Sequence, residues 1–186
     1  MANEQVSGAA AAPDGFGAGG VGTGGTANGQ RHVYLCALRW SDMDSYGHVN
    51  NMIYLQYLEQ ARVDWMVSTA NRAGVYEFEL GTVVARHTIE YKRPLVYRPE
   101  PVRVETWVTE IGHGSFTVAY EVKDDDYVYA TAESTLVPFD LRESRLRRLT
   151  PTERVYLEQY LIKKPERAGL PPGAARFGLG VPATDR

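Results

Sequence analysis

The sequence predicts an α+β domain in which one antiparallel sheet surrounds one long helix. Three observations carry that expectation. Ile53, Tyr54, Tyr57, Leu58, Ala61, Trp65 and Met66 recur at helical spacing over about 51 to 72. Four runs rich in Val, Thr, Tyr and Ile follow, separated by Gly, Pro and Asp clusters. One further strand-like run, His32 to Leu38, precedes the helix. Strands gathered on either side of a single helix, rather than alternating with helices, mark the α+β class. The pattern alone also fits other helix-on-sheet domains.

Each element has its local reason. Residues 1–30 are dominated by Gly and Ala and cannot bury a core, so they are expected to form a flexible tail. Their Gly repeats are not a phosphate loop, because no strand precedes them and no Lys-Ser/Thr follows. The domain is expected over 31–162. A polar loop, Arg39 to Asn50, follows the first strand. Asn50 or Asn51 is a good N-cap for the long helix, and Gly74 is its expected stop. Apolar residues off the main stripe, at Leu55 and Val63, widen the buried face, as in a helix wrapped by other structure. Strands are then expected at 82–92, 102–110, 115–123 and 127–139. Short turns at Gly112-His113-Gly114 and Asp124-Asp125-Asp126 should make the last three an antiparallel meander. Thr150-Pro151-Thr152-Glu153 reads as a capping box with Pro at the first helical position, opening a short helix to about Tyr160. The Pro- and Gly-rich segment 163–186 reads as a second disordered tail.

Composition narrows the function. The chain has 186 residues, enough for one domain with a real core. A formal net charge of -3 argues against a dedicated nucleic-acid binder. No apolar run approaches the ~20 residues of a membrane helix, and the first thirty residues lack the apolar core of a secretory signal. The cytoplasm is therefore the expected compartment. A single cysteine, Cys36, excludes an internal disulfide and a cysteine-based metal cluster.

The chemistry concentrates in Arg39 to Arg62. Two carboxylates, Asp42 and Asp44, stand just before Gly47, His48 and the Asn50-Asn51 pair, where the helix begins. A helix N-terminus offers free N–H groups and partial positive charge, so a carboxylate stands beside a natural oxyanion site. Acyl transfer needs those two parts. Spacing alone favours the plainer reading, in which Asp44 forms an Asx-turn or caps the helix. Asp42 is expected to hold the loop by hydrogen bonds to its backbone. His48 reads as a loop hydrogen-bonder rather than a metal ligand, and Asn50 as a tie for the loop. The Asn51 backbone N–H is the best oxyanion donor. Glu59 is the competing carboxylate, or else half of an i,i+3 ion pair with Arg62. The basic run Arg142, Arg145, Arg147 and Arg148 could meet phosphates but reads more simply as a solvated surface.

The order Asp-x-Asp-x-x-Gly-His-Val-Asn-Asn-x-x-Tyr-x-x-Tyr-x-Glu-x-Ala-Arg, from Asp42 to Arg62, resembles the signature of acyl-CoA thioesterases of the 4-hydroxybenzoyl-CoA thioesterase type. The resemblance continues more loosely to about Tyr160. It implies the hotdog fold, about five antiparallel strands around the helix. It implies that Asp44 acts on the thioester as base or nucleophile, with Asn51 as oxyanion donor and Glu59 as the helix carboxylate some relatives use. It places His48, Asn50, Tyr54 and the Gly114-Ser115-Phe116 turn against the substrate, the turn along the pantetheine arm of CoA. It implies no metal and no bound cofactor, acyl-CoA or an acyl carrier protein as thioester donor, and a homodimer or homotetramer with the site at a subunit interface. Two rivals remain within the fold: a hydratase or dehydratase, and a non-catalytic acyl-CoA-binding protein.

Overall fold

The structure, a computed structural model, describes residues 29–163. The expectations for the segments 1–30 and 163–186 fall almost wholly outside the described residues. The chain opens with β1 (His32–Cys36) and a 3-10 turn (Trp40–Asp42). Helix α1 (Asn51–Val63) follows and runs without a break through a π-helical segment (Asp64–Thr69) into the short α2 (Ala70–Arg72). The strands β2 (Thr82–Tyr91), β3 (Val102–Ile111), β4 (Phe116–Lys123), β5 (Val128–Asp140) and β6 (Arg145–Leu146) come next, then α3 (Pro151–Gln159).

All strand pairs are antiparallel, in the order β1-β3-β4-β5-β2, with β6 paired to the end of β5. The expected meander β3-β4-β5 forms the centre of the sheet. The first two strands of the chain take its two edges, so the long helix between them crosses the whole inner face. The strict alternation of β3 explains this packing. Val102, Val104, Thr106 and Val108 are fully buried, while the residues between them are only partly covered. Leu58, Ala61 and Trp65 of the helix face them, each with no exposed surface. The resulting curled sheet around one helix is the hotdog fold.

The π-helical segment was not legible in the sequence. There the Trp65 carbonyl accepts the Ala70 N–H, an i→i+5 bond, and also the Tyr156 hydroxyl at 3.0 Å. Tyr156 and Tyr160 close this end of the core, with Tyr160 edge-on to Trp65 at 5.1 Å and Tyr156 edge-on to Phe78 at 5.8 Å. Gly74 ends the helical run as expected, at a φ of 80° that a larger residue adopts only under strain.

The basic run needs a correction. Arg147 is neither solvated nor free for a phosphate. It grips the fully buried Glu153 through two bonds of 2.7 and 2.6 Å and also donates to the carbonyls of Glu77, Gly81 and Phe139. The expected capping box supplies the remaining contacts, Thr150 N–H to Glu153 Oε2 at 2.8 Å and Glu153 N–H to Thr150 Oγ1 at 3.1 Å. Arg147 thus clamps the start of α3 to the end of β5 and to the turn before β2.

Candidate active site at the helix N-terminus

The loop from Arg39 to Asn50 is built by backbone accounting. A helix leaves its first four N–H groups without intrahelical partners. Here the Asn50 N–H donates to the Asp42 carbonyl at 2.8 Å. The Met52 N–H donates to Asn50 Oδ1 at 2.9 Å, which makes Asn50 the N-cap. The Ile53 N–H donates to the Asn50 carbonyl at 2.9 Å. Three of the four are satisfied by the loop. Among the described residues the Asn51 N–H is the one left over, at the positive end of the helix.

Asp42 and Asp44 have separate places. Asp42 is buried, and its Oδ2 accepts both the Arg39 N–H at 2.9 Å and the Tyr57 hydroxyl at 2.7 Å. It fastens the loop to the middle of α1. Burial, then the hydrogen bond to this carboxylate, raises the Tyr57 hydroxyl well above its ordinary pKa, so Tyr57 stays a donor. Asp44 is half-buried and turns the other way. Its Oδ1 accepts the Tyr46 N–H at 2.9 Å, the expected Asx-turn, and its backbone exchanges bonds with His48 and Gly47. Gly47 closes this turn at a φ of 75°, where glycine is favoured. Asp44 Oδ2 accepts no hydrogen bond from the described residues.

The two carboxylates therefore line different concavities. Asp44, His48, Asn51 and Tyr54 share an open cleft of about 370 Å³ with Tyr91, Lys92, Arg93 and Pro94. Its floor is aromatic. Tyr54 is buried, and its ring meets that of Tyr91 edge-on at 5.3 Å. Burial pushes the Tyr54 hydroxyl up to about 12. Asp42, Tyr57 and Glu59 line a second cleft of about 360 Å³, against Tyr34 and Cys36 of β1. Burial pushes the Cys36 thiol there up to about 11, so it is no thiolate nucleophile at neutral pH.

The structure thus brings Asp44, His48, Asn50, Asn51 and Tyr54 together at one helix end. It places Glu59 in the other cleft. The ion pair expected between Glu59 and Arg62 does not form. Arg62 Nη1 donates instead to the Tyr120 hydroxyl at 3.4 Å, and Glu59 is exposed. The Gly114-Ser115-Phe116 turn is also elsewhere within this chain. It joins β3 to β4 beyond Ile111, whereas Tyr91 lies in register with Ala130, Val122 and Val104 at the opposite end of the sheet. Seven residues of strand separate the two ends, about 23 Å at the usual rise. The Phe116 side chain is buried in the core.

Tyr91, Lys92, Arg93 and Pro94 were missed from sequence. They close a strand whose place beside α1 depends on long-range sheet order. The only local signal was a Lys-Arg pair at the strand end before Pro94. Among the described residues, no group of three or more His, Cys, Asp or Glu is arranged to hold a metal ion. No helix among them is long and apolar enough to cross a membrane.

Comparison with known proteins points the same way. The model of the thioesterase-like superfamily matches residues 38–175. The long-chain acyl-CoA thioesterase FadM of Escherichia coli (strain K12) is 27% identical over 124 residues, 66% of this chain and 93% of that protein. A thioesterase from Thermus thermophilus, solved in complex with coenzyme A and Zn, superposes with a TM-score of 0.57 and 26% identity, covering 68% of this chain and 91% of that one. A predicted thioesterase from Bacillus stearothermophilus shares the fold with a TM-score of 0.64 and 22% identity, over 73% of this chain and 100% of that one.

Proposed function

The chain belongs to the thioesterase-like superfamily and is a thioester hydrolase, and from that premise we propose that its substrate is an acyl-CoA, cleaved to a free acid and CoA with Asp44 as the working carboxylate. One observation carries the assignment of the site. The loop satisfies three of the four N-terminal amides of α1 and leaves over, among the described residues, the N–H of Asn51, which lines the same cleft as Asp44. The thioester carbonyl oxygen points at that N–H. As the carbonyl carbon becomes tetrahedral, the growing negative charge is stabilised by the amide and the helix end. Asp44 Oδ1 is held by the Tyr46 N–H, so Oδ2 is the oxygen that acts. As a base it takes a proton from water while the water oxygen bonds to the carbonyl carbon. Collapse then breaks the C–S bond, and the thiolate leaves and is protonated. As a nucleophile it would form an acyl-carboxylate anhydride that water opens. The route uses only groups of this chain, and CoA enters as part of the substrate.

Similarity to FadM supports the choice of acyl-CoA, and an acyl carrier protein as donor is the second arm of the test. A thiol-release assay over a panel of acyl-CoAs and acyl carrier protein thioesters decides. Release of free thiol with stoichiometric acid supports the reading. Binding without release would identify an acyl-CoA-binding protein, and water addition with the thioester intact a hydratase.

The working form is proposed to be a homo-oligomer in the cytoplasm, a dimer or a tetramer. β2 is an edge strand with most of both faces uncovered, including Val83, Val84 and Tyr91. Such an edge is a template for pairing with another strand. Antiparallel pairing of two copies along β2 would set the Thr82 end of one beside the Tyr91 end of the other. The turn at Gly114 lies at the Thr82 end, so a partner would carry its own turn toward this cleft. Sedimentation at micromolar concentration checks this, and a monomer with full turnover would refute it.

A further inference from the structure

Two residues reach the helix N-terminus from outside the loop: Leu95, whose backbone bonds Val49 and Tyr54, and Tyr91, the last residue of β2. The Tyr91 hydroxyl donates to the Asn51 carbonyl at 2.9 Å, and its ring meets Tyr54 edge-on at 5.3 Å. Both partners belong to the first turn of α1 and line the Asp44 cleft with it. The loop holds that turn only through Asn50, which takes the Met52 and Ile53 amides. Asn51 itself is exposed and bonded to nothing in the loop. Tyr91 is its one side-chain tether among the described residues.

We propose that Tyr91 is a positioning residue of the hydrolase: it fixes Asn51, and so aims the Asn51 N–H into the cleft. The inference rests on the reading of that N–H as the oxyanion donor. A hydrogen bond from a phenol to a carbonyl fixes both the distance and the rotation of the first turn. Preorganised donors stabilise a developing charge because they need no reorganisation during the reaction. A turn free to shift by a fraction of an ångström spends less time in the productive geometry, which lowers kcat more than it changes KM. The tether persists at neutral pH, since desolvation raises the Tyr91 hydroxyl above its ordinary pKa and it remains a protonated donor.

Tyr91→Phe is the test, because it keeps the ring on Tyr54 and removes only the hydroxyl. Two measurements are made on the full chain. In acyl-CoA turnover, kcat should fall between about threefold and tenfold, the effect of one neutral hydrogen bond, with KM within twofold and an unchanged melting temperature. In amide hydrogen exchange, the segment 47–55 should exchange faster than in wild type while α3 stays protected. A kcat unchanged by the substitution overturns the proposal. So does a rise in KM alone, which would make Tyr91 a substrate contact. Loss of kcat without faster exchange at 47–55 overturns it as well. Failure of the underlying hydrolase reading is told apart at once: wild type would then release no thiol from any acyl-CoA, before any substitution is made, and the proposal would fall with it.

Discussion

Asp44→Asn separates chemistry from folding more cleanly than any other substitution in this chain. Asparagine keeps the carbonyl oxygen that would accept the Tyr46 N–H, now at 2.9 Å, so the Asx-turn survives. The backbone bonds to His48 and Gly47 do not involve the side chain. Only the negative charge and the basic or nucleophilic Oδ2 are lost. At this half-buried position the change from a charged to a neutral acceptor should cost at most about 1 kcal/mol of stability. Turnover should fall by at least ~100-fold, the usual contribution of a positioned proton-transfer group, which corresponds to about 2.7 kcal/mol of barrier. Substrate affinity should stay within a few-fold, because the rest of the cleft is unchanged. Thiol release under saturating acyl-CoA, read beside a denaturant titration, gives both numbers. Glu59→Gln is run in parallel, since Glu59 is the exposed carboxylate of α1 and the competing candidate. Near-normal turnover in Asp44→Asn with collapse in Glu59→Gln would refute the reasoning. It would place the chemistry in the cleft against β1, at the middle of the helix.

Three other outcomes follow from the same geometry. Asp42→Asn should lower stability by about 1.5–3 kcal/mol, since both bonds to Oδ2 lose their charge, while kcat changes by less than a few-fold; urea titration and turnover together check it. Arg147→Ala should cost about 3–5 kcal/mol by leaving the Glu153 carboxylate buried without its partner, and a shift below 1 kcal/mol in denaturant titration would show that the clamp is redundant. His32 lies against Asp64, its Nε2 2.9 Å from the carboxylate without the alignment of a hydrogen bond, and burial, the largest cause, holds its pKa below 6.5. The unfolded chain therefore binds a proton at His32 more readily than the folded one. Stability should fall as pH drops below about 6.5, and His32→Gln should flatten that slope, as unfolding curves between neutral and mildly acidic pH would show.

Most of the fold was legible because its signals are local. The alternation of β3, the capping box at Thr150 and Glu153, and Gly74 after the helix each act within a few residues. The π-helical segment was hidden because its cause is tertiary: Tyr156, ninety-one positions away, bonds the Trp65 carbonyl. Arg147 misread for the same reason. A run of four arginines near one glutamate looks solvated, and nothing nearby shows that Glu153 will be fully buried beneath it. The ion pair expected of Glu59 and Arg62 failed because spacing permits a contact without requiring it. Arg62 has a competing acceptor in Tyr120, which only the sheet order brings near.

The site divides along the same line. Its loop half, Asp44 to Tyr54, is contiguous in sequence and could be read there, except that the sequence left the cap open between Asn50 and Asn51 and the structure assigns it to Asn50. Its strand half, Tyr91 to Pro94, is contributed by an edge strand forty residues later. That division has a physical consequence. The loop alone fixes Asp42, Asn50 and the Asx-turn of Asp44, but it leaves Asn51 both unbonded and exposed. Alignment of the oxyanion donor with the carboxylate is thus shared between two elements, α1 and β2. β2 is also the long strand least covered by its own chain. Whatever pairs with that edge bears on Tyr91, and through Tyr91 on Asn51. The geometry of the candidate site is therefore coupled to the surface along which a second copy is expected to pair, so dilution below the dimer dissociation constant should lower turnover per chain even though every group of the Asp44 loop remains in place.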